Sequence, residues 1–188
     1  MINLPNLLSL SRILLVPFLM VVLLTRFEGK EIIGLQNEYI ALIIFLIAGA
    51  TDILDGYIAR RQQLVTRLGQ LLDPAADKIL TSSAFVALVE LGLMPAWMVV
   101  VVIGREFAIS ALRSIAALQN IAIPAAMSGK LKTTVQIATI ATLIIITPVP
   151  LLLPVAPILR WATVLITLYS GFEYFVRFGH LVVQRKEK

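Results

Sequence analysis

The chain is predicted to be an all-α, polytopic membrane protein with six transmembrane helices and both termini on the cytoplasmic side. Three observations predict this. First, 59% of its 188 residues are hydrophobic, against about 45–50% in soluble domains. Second, the apolar residues fall into six runs, each close to the roughly 20 residues that a helix needs to cross a bilayer core. Third, the basic residues are asymmetric. With the N-terminus inside, only Arg26, Lys30 and Arg160 of the 16 Lys and Arg fall outside, as the positive-inside rule requires.

The first span runs from Leu7 to Phe27, with Arg12 near its start and Pro17 as an expected kink. The second runs from Glu38 to Arg60 and the third from Leu68 to Gly92; both turn polar toward their shared loop. The fourth covers Pro95–Leu118, the fifth starts at Lys130 and ends before Pro148, and the sixth covers Ala156–Phe178. Pro148, Pro150, Pro154 and Pro157 punctuate the turn before the last span. Pro74, in the third span, implies a local distortion. Loops are short, no repeat or composition shift divides the chain, and residues 1–188 form one expected domain.

Composition excludes several functions. There is no cysteine, hence no disulfide, thiolate metal site or cysteine nucleophile. His180 is the single histidine, and it lies in the basic tail. The net charge of +5 does not point to nucleic acid, because the basic residues flank apolar runs instead of lining one polar face. Met1–Asn6 carries no basic residue, so no removable leader is expected.

Against this background the four aspartates Asp52, Asp55, Asp73 and Asp77 stand out. A carboxylate at membrane depth costs at least a few kcal/mol unless it is neutralised. The first pair is spaced i, i+3 and the second i, i+4, so each pair occupies one helix face. Two such faces opposed make a cage of hard oxygen donors suited to a divalent cation. Gly56 and Ala59 are small and permit close approach of a bulky ligand or a backbone. Arg60 is placed to meet an anion beside the ions, and Thr66 offers a hydroxyl at the same end. Carboxylate-held ions that bridge phosphate oxygens suit phosphoryl or phosphatidyl transfer, and one carboxylate is available as general base. The competing readings are an internally paired polar network and a cation pathway of a transporter.

The segment Asp52-x2-Asp55-Gly56-x2-Ala59-Arg60-x8-Gly69-x3-Asp73-x3-Asp77 resembles the signature of the CDP-alcohol phosphatidyltransferase family and matches it at every position. The resemblance implies a six-helix membrane enzyme, usually a homodimer, with its site facing the cytoplasm. It further implies a CDP-linked lipid and an alcohol as substrates, with CMP leaving. Asp52, Asp55, Asp73 and Asp77 would surround a pair of divalent ions, Mg²⁺ or Mn²⁺, with Asp77 as base for the acceptor hydroxyl. Gly56, Ala59, Arg60 and Gly69 would lie along the CDP moiety. Asn6 either reaches the nucleotide or caps the first helix. Arg12 is a further candidate for phosphate or headgroup contact.

Looser stretches resemble family members that use CDP-diacylglycerol and glycerol 3-phosphate. They are Asn3–Arg12 with Pro17-Phe18, Arg105-Glu106-Phe107, Ser110–Arg113, Gly129–Thr133 with Gln136, and Ser170–Tyr174. Charge agrees. Arg105, Arg113, Lys130 and Lys132 lie at the inside ends of spans four and five, where a phosphorylated acceptor drawn toward lipid needs pairing. Serine or free inositol gives less reason for them; inositol phosphate would need them equally. The plain alternative is charge that sets topology. Glu106 is expected to orient Arg105, Glu173 to pair with Arg177, and Trp97, Trp161, Tyr169 and Tyr174 to mark interfaces or pack helices.

Overall fold

The structure is a computed structural model that describes residues 4–25, 36–62, 67–118, 121 and 127–179; within its helices the side chains of residues 4–6, 8, 9 and 52–74 lie outside the description. Six helices make up the described chain, and no strand occurs among the described residues. They are α1 Leu4–Leu24, α2 Asn37–Gln62, α3 Arg67–Glu90, α4 Ala96–Leu118, α5 Met127–Ile144 and α6 Ala156–Phe178. A 3₁₀ turn, Pro150–Leu152, precedes α6.

The all-helical, six-helix expectation therefore holds, with boundaries within a few residues of those read from hydropathy. Among the described residues, no helix is long and apolar enough to cross a membrane. α1 runs through Pro17 and α3 through Pro74 without a break. The distortion expected at Pro74 does not interrupt the helix, because a proline eight residues into it removes one backbone hydrogen bond while the neighbouring turns keep theirs.

The chain divides into two compact units: residues 1–93 with 140–153, and residues 94–139 with 154–188. In the first unit α1 packs against both α2 and α3, and α2 against α3. Its core is built on helical spacing. Ala41, Phe45 and Ala48 are buried on α2; Leu80, Ala84, Ala87 and Leu88 on α3; Leu19, Val22 and Leu23 on α1. The alanines let backbones approach while Phe45 and the leucines fill the space between. Arg12 is the exception on α1, wholly buried at 0% exposure.

α3 ends in a Schellman motif. Gly92 takes φ +72°, a left-handed conformation costly for residues with a Cβ. Its N–H donates to the Val89 carbonyl at 2.9 Å and that of Leu93 to the Leu88 carbonyl at 2.8 Å. The last carbonyls of α3 are thus satisfied before the chain leaves for α4.

In the second unit α4 packs on α6. Met98, Val99, Val102, Ile109, Leu112 and Ala116 form the buried stripe of α4. The facing stripe of α6 is more polar: Thr163, Val164, Thr167, Ser170, Gly171 and Tyr174. Thr139 of α5 and Thr163 of α6 share a buried hydroxyl–hydroxyl bond of 2.7 Å, and Thr139 also donates to the Val135 carbonyl at 2.8 Å. Buried hydroxyls that are paired contribute about 1 kcal/mol each and cost more if left alone. Near the start of α4 and α6 the rings of Trp97 and Trp161 meet at 5.7 Å between centroids, tilted by 58°.

Candidate functional site

Two sets of candidate residues must be placed: the acid motif in the first unit and the cations in the second. Of the four aspartates, Asp77 alone has a described side chain. It is half-buried on α3, and its backbone carbonyl accepts the Thr81 hydroxyl at 3.0 Å. Thr66 and the side chains of Asn6, Asp52, Asp55, Gly56, Ala59, Arg60, Gly69 and Asp73 lie outside the described residues. Among the described residues, no group of three or more His, Cys, Asp or Glu gathers that could hold an ion.

The backbone tests whether the motif fits divalent ions. Asp52 and Asp55 sit on α2, ten and seven residues before its end at Gln62. Asp73 and Asp77 sit on α3, six and ten residues after its start at Arg67. At a rise of about 1.5 Å per residue, both pairs stand roughly 9–15 Å from the connection between the helices. The connection has four residues, which makes α2 and α3 antiparallel neighbours, and the two helices are in contact. Each pair keeps its helical spacing, because neither helix is interrupted. Matched height, hard oxygen donors and paired spacing fit divalent ions held between α2 and α3.

The second unit brings Arg105, Arg113 and Lys132 together around two residues, Glu106 and Tyr174. Glu106 Oε1 accepts from Lys132 Nζ, a contact between α4 and α5, and from Arg105 Nη1 at 3.4 Å. Arg105 Nη2 donates to Ser170 Oγ at 2.6 Å, and Ser170 in turn donates to Ser128 Oγ at 3.3 Å. Arg113 Nη2 donates to the Tyr174 hydroxyl at 3.0 Å. Both guanidinium groups lie over the Tyr174 ring, at 5.7 Å for Arg105 and 5.5 Å for Arg113. Gly171 gives the Arg105 stem its room: a Cβ there would stand 3.1 Å from Arg105 Cγ.

Burial grades across this cluster. Lys132 is 7% exposed and Tyr174 3%, whereas Arg113 is exposed. Among the described residues, three cations gather here around the carboxylate of Glu106. Charge held out of water is costly unless compensated, and phosphate is the anion that Arg forks and Lys recognise best. Lys130 is not part of this arrangement. It is exposed at the start of α5, two residues from Lys132 and hence on a different helix face.

Glu106 touches Arg105 as expected, and it also joins α4 to α5 through Lys132. Tyr174, expected to mark an interface or pack helices, is buried on α6 and also lies against two cations of α4. Ser128, Ser170 and Gly171 were not singled out as site residues. The signal was present as Ser170, Gly171 and Tyr174 on one turn of α6, but it has meaning only with α4 opposite. Arg12 is wholly buried on α1. Glu173 and Arg177 form the expected i, i+4 pair at 2.9 Å, with Arg177 near the negative end of the α6 dipole. Tyr169 is exposed, and His180 lies outside the described residues.

The acid motif lies on α2 and α3 and the three clustered cations lie on α4 and α5. The family model for CDP-alcohol phosphatidyltransferases matches residues 2–169, and the chain belongs to that family. The CDP-diacylglycerol–glycerol-3-phosphate 3-phosphatidyltransferase of Bacillus subtilis is 43% identical over 182 residues, covering 93% of this chain and 94% of that protein. A protein of the same name from Rickettsia bellii is 31% identical over 176 residues, covering 92% of this chain and 93% of its own length. A third, from Salmonella choleraesuis, is 39% identical over 148 residues, or 76% of each chain.

Proposed function

We propose that the chain is an integral membrane enzyme that transfers the phosphatidyl group of CDP-diacylglycerol to glycerol 3-phosphate, giving phosphatidylglycerol phosphate and CMP. The observation that carries the choice of acceptor is the cluster of half-buried Arg105, exposed Arg113 and buried Lys132, a concentration of cations of the kind that a phosphate dianion pairs with. The names of relatives that cover most of the chain support the same acceptor. Membership of a transferase family sets the cation-transport reading aside.

Asp52, Asp55, Asp73 and Asp77 would hold the divalent metal, Mg²⁺ or Mn²⁺, as a pair of ions. When bound, such ions offset the charge of a pyrophosphate and orient it. Asn6, Gly56, Ala59, Arg60, Thr66 and Gly69 would line the CDP-lipid. Arg105, Arg113 and Lys132 hold the acceptor phosphate, with Lys130 at the outer edge. Asp77 takes the proton from an acceptor hydroxyl. The freed oxygen attacks the phosphorus that bears diacylglycerol. The anhydride bond to the CMP phosphate breaks, and CMP leaves with the electron pair. Arg105, Arg113 and Lys132 contribute by fixing the acceptor's far end, which removes much of the entropic cost of bringing the hydroxyl to the phosphorus.

The basic asymmetry of the sequence supports the cytoplasmic membrane as its place, with the site and both termini facing the cytoplasm, and the family resemblance supports a homodimer. The test is an assay of detergent-purified protein with CDP-diacylglycerol, offering glycerol 3-phosphate, inositol phosphate, serine and inositol in turn. CMP release with glycerol 3-phosphate alone, lost on chelation and restored by Mg²⁺ or Mn²⁺, is expected. Consumption of inositol phosphate without glycerol 3-phosphate would overturn the acceptor, and turnover that survives chelation would overturn the metal.

A further inference from the structure

Three cations serve the proposed acceptor site, and two of them, half-buried Arg105 and exposed Arg113, stand side by side. Like charges side by side repel, and among the described residues the carboxylate of Glu106 reaches Arg105 and Lys132. What Arg105 and Arg113 share is Tyr174. Its ring lies 5.7 Å from one guanidinium carbon and 5.5 Å from the other. Its hydroxyl accepts from Arg113 at 3.0 Å. It is 3% exposed, so the contacts form where water screens them little.

We infer that Tyr174 is a positioning residue for the acceptor site: its ring face holds Arg105 and Arg113 side by side as a preformed seat for a phosphate dianion. The inference rests on the acceptor reading given above. The physical reason is the ring quadrupole. An aromatic face attracts a cation without bringing a negative charge of its own. A second carboxylate would hold the two arginines equally well but would cancel the positive charge and repel the phosphate. A tyrosine keeps them in place and leaves their charge for the ligand. Glu106 does the complementary work at the buried end, where Lys132 could not stand without a counter-ion. The seat is thus neutralised where it is buried and left charged where it opens.

The Tyr174 hydroxyl and ring separate by substitution. Tyr174→Phe keeps the ring and removes the bond from Arg113, and its acceptor KM should rise about threefold. Tyr174→Leu removes both, and its acceptor KM should rise about tenfold or more, with the CDP-diacylglycerol KM unchanged. A purely structural tyrosine would behave otherwise: Tyr174→Leu would lower the melting temperature and move both KM values together. That result, or Tyr174→Leu within about twofold of wild type for the acceptor, overturns the inference. Phe and Leu variants equally impaired would also overturn it, because the hydroxyl alone would then be at work. Arg105→Ala, measured alongside, separates two failures. If it raises the acceptor KM while Tyr174→Leu does not, the Tyr174 inference alone is wrong. If it leaves the acceptor KM unchanged, the acceptor site itself is wrongly placed, and the inference falls with it.

Discussion

The two units of this chain use opposite chemistry between their helices. In the first, the described buried faces of α1, α2 and α3 are leucine, isoleucine, valine, phenylalanine and alanine, with Arg12 buried among them. In the second, the faces of α5 and α6 carry Lys132, Gln136, Thr139, Thr163, Thr167 and Ser170 in buried positions. The first unit is a scaffold of shape. The aspartates proposed to hold the ions sit on α2 and α3, whose described buried faces are apolar. The second is held partly by groups proposed to meet the ligand: Glu106, Lys132, Arg105 and Ser170 join three helices. Position and chemistry are separable in one and merged in the other.

The largest effect should come from Asp77→Asn, which removes the base and leaves the helix intact. It should lower kcat by about 10²–10⁴-fold while leaving the melting temperature near that of wild type. A variant that keeps full turnover would remove Asp77 from the mechanism. Loss of packing in the same unit should show the reverse. Leu88, fully buried, should cost about 2–5 kcal/mol of stability on change to alanine, read as a lower melting temperature with KM values unchanged in the surviving protein. A shift of KM there would show that the scaffold and the site are not separable.

In the second unit the two readouts should move together. Glu106→Gln keeps the shape and removes the charge that Lys132 pairs with. It should both lower the melting temperature and raise the acceptor KM, by about tenfold; a change in one alone would break the contrast between the units. Thr163→Val removes one hydroxyl from the Thr139 pair. It should cost about 1 kcal/mol, because Thr139 keeps its bond to the Val135 carbonyl. The smallest effect belongs to Gly171→Ala. Its Cβ would stand 3.1 Å from Arg105 Cγ, and the flexible Arg105 stem can yield by a few tenths of an ångström. A rise of about twofold in acceptor KM, with stability unchanged, is expected.

Helices were legible because their signals are local. Apolar runs, the proline cluster before α6 and the glycine after α3 each act within a turn or two of chain, and the ends read from them fall within a few residues of the observed ones. The acid motif was legible for the same reason: i, i+3 and i, i+4 spacing is a property of one helix at a time. The cation cluster was legible only as a list. Arg105, Arg113 and Lys132 could be named from their sign and their place near helix ends. Lys130, named with them on the same grounds, is exposed at the start of α5, on another face of the helix from Lys132.

By itself, then, the sequence determined the six helices, the acidic spacing and the excess of positive charge, since each follows from backbone periodicity and side-chain chemistry over short range. Only the tertiary structure decided which cations share a site, that Glu106 braces Lys132, and that Tyr174 lies beneath two arginines. Those contacts join residues 26, 61 and 65 positions apart, and no short-range signal encodes a meeting that depends on how α4, α5 and α6 come to rest against one another.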